Sequence, residues 1–115
     1  MAMAGRMGTS VDVLFGPGAM AAILEATEKS KSGGLAGKVE TDEKGKYRLV
    51  TGTGRTDVGM FFSTEGTEPD DGMAAEVRQV LGSGILVVID PEIGELAVYF
   101  VDPEGRRMAS ALVSE

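Results

Sequence analysis

Gly84-Ile85-Leu86-Val87-Val88-Ile89 is an almost unbroken apolar run. Neither parity of the run is polar, so it reads as a central strand covered on both faces. Upstream, Met73, Val77, Val80 and Leu81 recur at i, i+4, i+7 and i+8, the buried stripe of a helix. Asp70 or Asp71 supplies its N-cap, and Gly82 is its expected C-terminal stop in a left-handed conformation. Downstream, Asp90-Pro91-Glu92-Ile93-Gly94 turns the chain into a strand over 95–101. Asp102-Pro103-Glu104-Gly105 turns it again into a strand over 106–113. The C-terminal half is thus expected to be a helix, a buried strand and a three-stranded antiparallel meander.

The N-terminal half supplies a second helix and more strands. Val11 to Phe15 alternates as a short strand, and Gly16-Pro17-Gly18 breaks it. Met20, Ile23, Leu24 and Thr27 then recur at helical spacing among alanines. Lys29 and Lys31 fall where cations complement a helix C-terminus, and Ser32-Gly33-Gly34 is the expected stop. Strands over 35–41, 46–51 and 58–62 follow, separated by the turn Asp42-Glu43-Lys44-Gly45 and by Gly52-Thr53-Gly54. The expected fold is α+β, a mixed and largely antiparallel sheet with two main helices. One domain is expected over 11–115, after a flexible segment 1–10.

Composition narrows the chemistry. The chain of 115 residues has no His and no Cys, so imidazole bases, imidazole ligands and thiolate zinc sites are excluded. Its net charge of −7 is unevenly placed: residues 1–62 carry 8 basic and 7 acidic side chains, residues 63–115 carry 3 and 11. Such a surface repels phosphate backbones, so no nucleic-acid partner is expected. The first ten residues lack the apolar stretch of a signal peptide. No apolar run approaches the roughly 20 residues a spanning helix needs. A cytoplasmic protein without membrane contact is the expectation.

The glycine-rich stretches fail as nucleotide motifs. Gly33-Gly34-Leu35-Ala36-Gly37-Lys38-Val39 has Ser32 and Val39 where a phosphate loop needs Gly and Ser or Thr, and it opens a strand rather than a helix. Gly52-Thr53-Gly54-Arg55-Thr56-Asp57 has Asp where the dinucleotide fingerprint needs its third Gly. Both read as turn glycines. Glu65, Glu68, Asp70 and Asp71 crowd the loop between the strand over 58–62 and the helix that starts near Asp70 or Asp71, where oxygen ligands could hold a hard divalent cation. They lack EF-hand order, and nothing fixes two of them at a hydrolytic separation. A nucleophilic Ser or Thr there has no His base.

The order of elements resembles the JAMM/MPN metalloprotease domain over roughly 13–113. The local matches are Gly16 to Ala26, Gly33-Gly34-Leu35-Ala36-Gly37, Val58 to Thr64, and Ile85 to Pro91. The resemblance implies cytidine-deaminase-like layering of helices on a sheet. It also implies a His-Ser-His-Pro zinc motif after the central strand, a later Asp ligand and an upstream Glu base. Here Phe62-Ser63-Thr64-Glu65 stands at the motif, keeping only the Ser. Glu76 falls at the Asp position by strict spacing, or Met73 if Pro69 is aligned, and the base position falls near Lys31 or Ser32. At most one of three zinc ligands remains, so neither zinc nor another cofactor is expected, nor any catalytic residue.

Non-catalytic members of that family serve as scaffolds in protein assemblies, and the resemblance implies the same role here: a protein partner or a second copy. Because a strand alternates faces, Phe61 in the core would turn Phe62 outward beside the acidic loop. The expected contact surface is therefore Phe62, Ser63, Thr64, Glu65, Glu68, Asp70 and Asp71. Two alternatives stay open. One is a divalent-cation or small-ligand domain, or a hydrolase, using the acidic loop 65–71. The other is a dimerising regulator resembling the roadblock/profilin-like layer, although a helix ending at Gly82 leaves only about three turns where roadblock domains use a long one.

Overall fold

The structure, a computed structural model, describes residues 13–43, 45–109 and 111–113, with the side chains of Asp42, Arg107, Leu112 and Val113 excepted. The expected flexible segment 1–10 and the start of the first expected strand lie outside the described residues. Among these, the elements run β1 (Val13–Phe15), α1 (Ala19–Thr27), β2 (Ser32–Asp42), β3 (Gly45–Thr53), β4 (Gly59–Ser63) and α2 (Asp71–Leu81). β5 (Gly84–Asp90), β6 (Glu95–Asp102), β7 (Gly105–Met108) and β8 (Ala111–Val113) complete the chain. The strands make one sheet in the order β7-β6-β5-β4-β2-β3-β1-β8. Four of its seven pairings are antiparallel. The parallel ones are β4 with β5, β1 with β3 and β1 with β8. The fold is a compact mixed α+β domain.

Alternation across the strands builds a core on each face of the sheet. On one face Val13, Phe15, Leu35, Val50, Phe61, Ile85, Val87, Ile89 and Val98 pack with Ala19 and Ile23 of α1. On the other, Met60, Phe62, Leu86, Val88 and Val101 pack with Ala74 and Val77 of α2. Every residue of β5 is buried, as its two apolar parities require.

The sheet is curled, and its last two strands lie on opposite edges. β7 pairs with β6 on one edge of the strand order, and β8 pairs with β1 on the other. Only Ala109 and Ser110 separate the two strands in sequence. The single strand expected over 106–113 is therefore two, and the antiparallel meander ends at Met108. Inside the curl, the Arg48 guanidinium on β3 lies over the Phe100 ring on β6.

The helices differ from expectation in length and in face. α1 ends at Thr27, and Ser32-Gly33-Gly34 opens β2 instead of ending the helix. Its buried face is Ala19 and Ile23 with Met20 and Ala26, whereas Leu24 is half exposed. On α2, Val80 turns to solvent and Ala74 takes the contact with the sheet. The helix boundaries match the expected caps. Asp70 Oδ1 accepts the Met73 N–H at 2.8 Å, and Gly82 sits at φ +78°, where a side chain would be strained. The Arg78 guanidinium donates to the Asp102 carbonyl and Arg106 pairs with Asp71, fastening α2 to the β6–β7 turn. No helix among the described residues is long and apolar enough to cross a membrane.

Candidate functional site

β4, α2 and β5 form a strand–helix–strand unit whose strands run parallel, with Ser63 beside Ile89 at their carboxyl ends. The carboxyl ends of parallel strands are where such sheets usually bind ligands. A cleft of about 200 Å³ opens there, lined by Lys31, Ser63, Thr64, Glu65, Asp90 and the Pro91-Glu92 turn.

Backbone hydrogen bonds bring these distant stretches together. The Ser63 N–H donates to the Lys31 carbonyl at 2.7 Å, and the Thr64 N–H donates to the Ile89 carbonyl at 2.8 Å. Asp90 does more. Only 9% exposed, it accepts the Gly66 N–H on Oδ2 at 2.7 Å and the Glu92 N–H on Oδ1 at 3.1 Å. One buried carboxylate thus holds the loop after β4 against the turn after β5. Burying that charge is tolerable because two amides donate to it. Tyr99 adds a further hold through its hydroxyl, which donates to the Thr67 carbonyl at 3.1 Å.

The expected contact residues are only partly brought together. Ser63, Thr64 and Glu65 line the cleft. Glu68 is exposed on the same loop. Asp70 is occupied as the α2 cap, and Asp71 pairs with Arg106. Phe62 is a correction: it is 9% exposed and belongs to the core under α2. The chain returns through α2 and covers the face to which Phe62 points, so the ring gives no apolar patch beside the loop. The exposed apolar side chain near the cleft is Ile93, 62% exposed and next to Glu92. Its place in a turn between two strands was the signal available in the sequence, since an isoleucine there has no strand face to fill.

The residues present do not fit zinc. The cleft offers hydroxyls, carboxylates and one ammonium, with both Asp90 oxygens already holding amides. Glu76 lies exposed on α2, and Met73 packs into the core with Phe62. Among the described residues no three carboxylates converge as a cation site. Nor, among them, does a hydrogen bond join the Ser63 or Thr64 hydroxyl to a side-chain base; the Thr64 hydroxyl faces the Glu65 carbonyl. The arrangement offers an acidic rim with one apolar side chain beside it. No family model matches the chain, and no curated protein matches it either.

Proposed function

We propose that the chain is a non-catalytic domain of the JAMM/MPN kind, working in the cytoplasm through protein contacts at the rim of the β4–β5 cleft. The observation that carries this reading is the meeting of Lys31 with Ser63, Thr64 and Glu65. The first motif position, Phe62, lies in the core under α2, whereas Lys31, near the position the resemblance gives the family's base, and Ser63, Thr64 and Glu65, the rest of the motif, are more than thirty residues apart in the chain. They share one cleft, and none of them is a zinc-binding nitrogen or sulfur. What the rim offers instead is Ile93 beside Glu92, with Glu65 across the cleft and Glu68 further along the same loop. An exposed apolar side chain among charges is a common form of contact surface.

The contact to test first is with a second copy of the chain. Sedimentation equilibrium of the purified protein should show concentration-dependent association. Ile93→Asp combined with Glu65→Lys should weaken it while leaving the melting temperature nearly unchanged, because both side chains are exposed. A chain that stays monomeric at every concentration, or a variant that associates as the parent does, would contradict self-association through this rim.

A further inference from the structure

The two glycine runs that fail as separate nucleotide motifs lie on the walls of one cavity. Pairing of β2 with β3 begins at Leu35 and Thr53, whereas Ser32, Gly33 and Gly34 pair with β4 alone. The β3 side of that three-residue segment is open, because the chain turns away at Gly54 with φ +98°. The space left beside it is about 320 Å³, larger than the β4–β5 cleft.

Packing keeps this space clear of side chains. A Cβ on Gly33 would lie 2.7 Å from the Phe61 ring, and one on Gly34 would strike Thr56 and the Arg55 carbonyl. At Gly33 and Gly34 the wall is therefore bare backbone, and Ala26 and Phe61 are its apolar part. The polar residues that line it are Lys29, Ser30, Ser32, Thr53 and Thr56. None of these side chains has a hydrogen-bond or ion-pair partner among the described residues. Among the described residues no carboxylate lines the cavity, although the chain carries a net charge of −7 and three carboxylates line the other cleft.

A lysine beside several Ser and Thr residues, with no acid among the described lining residues, suits an anion with several oxygens. The C-terminal carbonyls of α1 would oppose an anion, but those of Leu24, Glu25 and Ala26 already accept hydrogen bonds. The Ala26 carbonyl accepts the Lys29 and Ser30 N–H groups, and the Leu24 carbonyl accepts the Thr27 hydroxyl. The volume exceeds that of a phosphate group alone and lies at the lower end of small-molecule sites. We propose that this cavity binds a small phosphate-bearing metabolite, its phosphate held by Lys29 and the surrounding hydroxyls and its organic part against Phe61. The site is independent of the protein-contact reading.

The test is an amide-resolved NMR titration of the full chain with inorganic phosphate, with sodium chloride at matched ionic strength as control. Saturable shifts are expected at Gly33, Gly34, Gly54 and Thr56. Lys29 is exposed beyond the end of α1, so its variants should fold. Lys29→Glu should weaken the binding at least about tenfold, the weight of one charge-assisted contact, and Lys29→Arg should keep it. Shifts that never saturate, that chloride reproduces, or that persist unchanged in Lys29→Glu would overturn the proposal.

Discussion

Arg48 and Phe100 meet with the guanidinium carbon 4.5 Å from the ring centroid, although four strand-to-strand steps separate β3 from β6 in the sheet. The strand pairs place both on the face that holds the α1 core: Arg48 is opposite Val13, and Phe100 packs against that core. Two residues on one face can meet across that distance only if the face is concave. The contact thus marks the curl of the sheet.

That relationship is measurable. In a double-mutant cycle on denaturant unfolding, Arg48→Ala and Phe100→Ala should couple by about 0.5–1 kcal/mol, the range for a cation over an aromatic face. Additive losses would mean that the two side chains do not sense each other in solution.

Asp90 should be the most costly single charge to remove. Asp90→Ala leaves the Gly66 and Glu92 amides without their buried acceptor, a loss of about 2–3 kcal/mol. Asp90→Asn should also destabilise, because one of its two positions becomes a donor facing an N–H. Hydrogen exchange at Gly66 should accelerate in both variants. Unchanged protection there would contradict the role given to the carboxylate.

The close approach of Gly33 to Phe61 predicts a non-additive pair. Gly33→Ala should cost about 1–3 kcal/mol through overpacking, and less in a Phe61→Leu background, where the ring that blocks the methyl group is gone. Equal costs in the two backgrounds would place the strain elsewhere. Thermal melts of the four proteins suffice.

At the ends of α2, Asp70→Ala should cost about 1 kcal/mol by removing the acceptor for the Met73 N–H. Gly82→Val should cost more than Gly82→Ala, because a β-branched residue tolerates φ +78° poorly. The reverse ranking in thermal melts would argue against this helix boundary.

These sites also show what the sequence could convey. The burial of β5 and the boundaries of α2 follow from local pattern: a run apolar at both parities, an Asp cap, a terminal glycine. Phe62 was harder, because alternation says that Phe61 and Phe62 face opposite ways but not which face stays wet. α2 covers both β4 and β5, and that is a tertiary fact. The break near Ala109 was hidden for the same reason, since β8 pairs with β1 from the other end of the chain. The internal spacing of the glycine runs does not reveal that Gly33 and Gly54 border one cavity. Lys31 and Asp90 became cleft residues only when β2, β4 and β5 were set side by side.

The central claim, a metal-motif position that has lost its ligands, is tested most directly by zinc titration with elemental analysis. Parent protein is compared with the triple variant Phe62→His, Thr64→His, Met73→Asp. Phe62 and Met73 share the core under α2, and Thr64 follows two residues after Phe62 at the carboxyl end of β4. The account predicts no stoichiometric zinc on the parent and about one zinc per chain on the variant. Stoichiometric zinc on the parent, or a folded variant that binds no more than the parent, would contradict it.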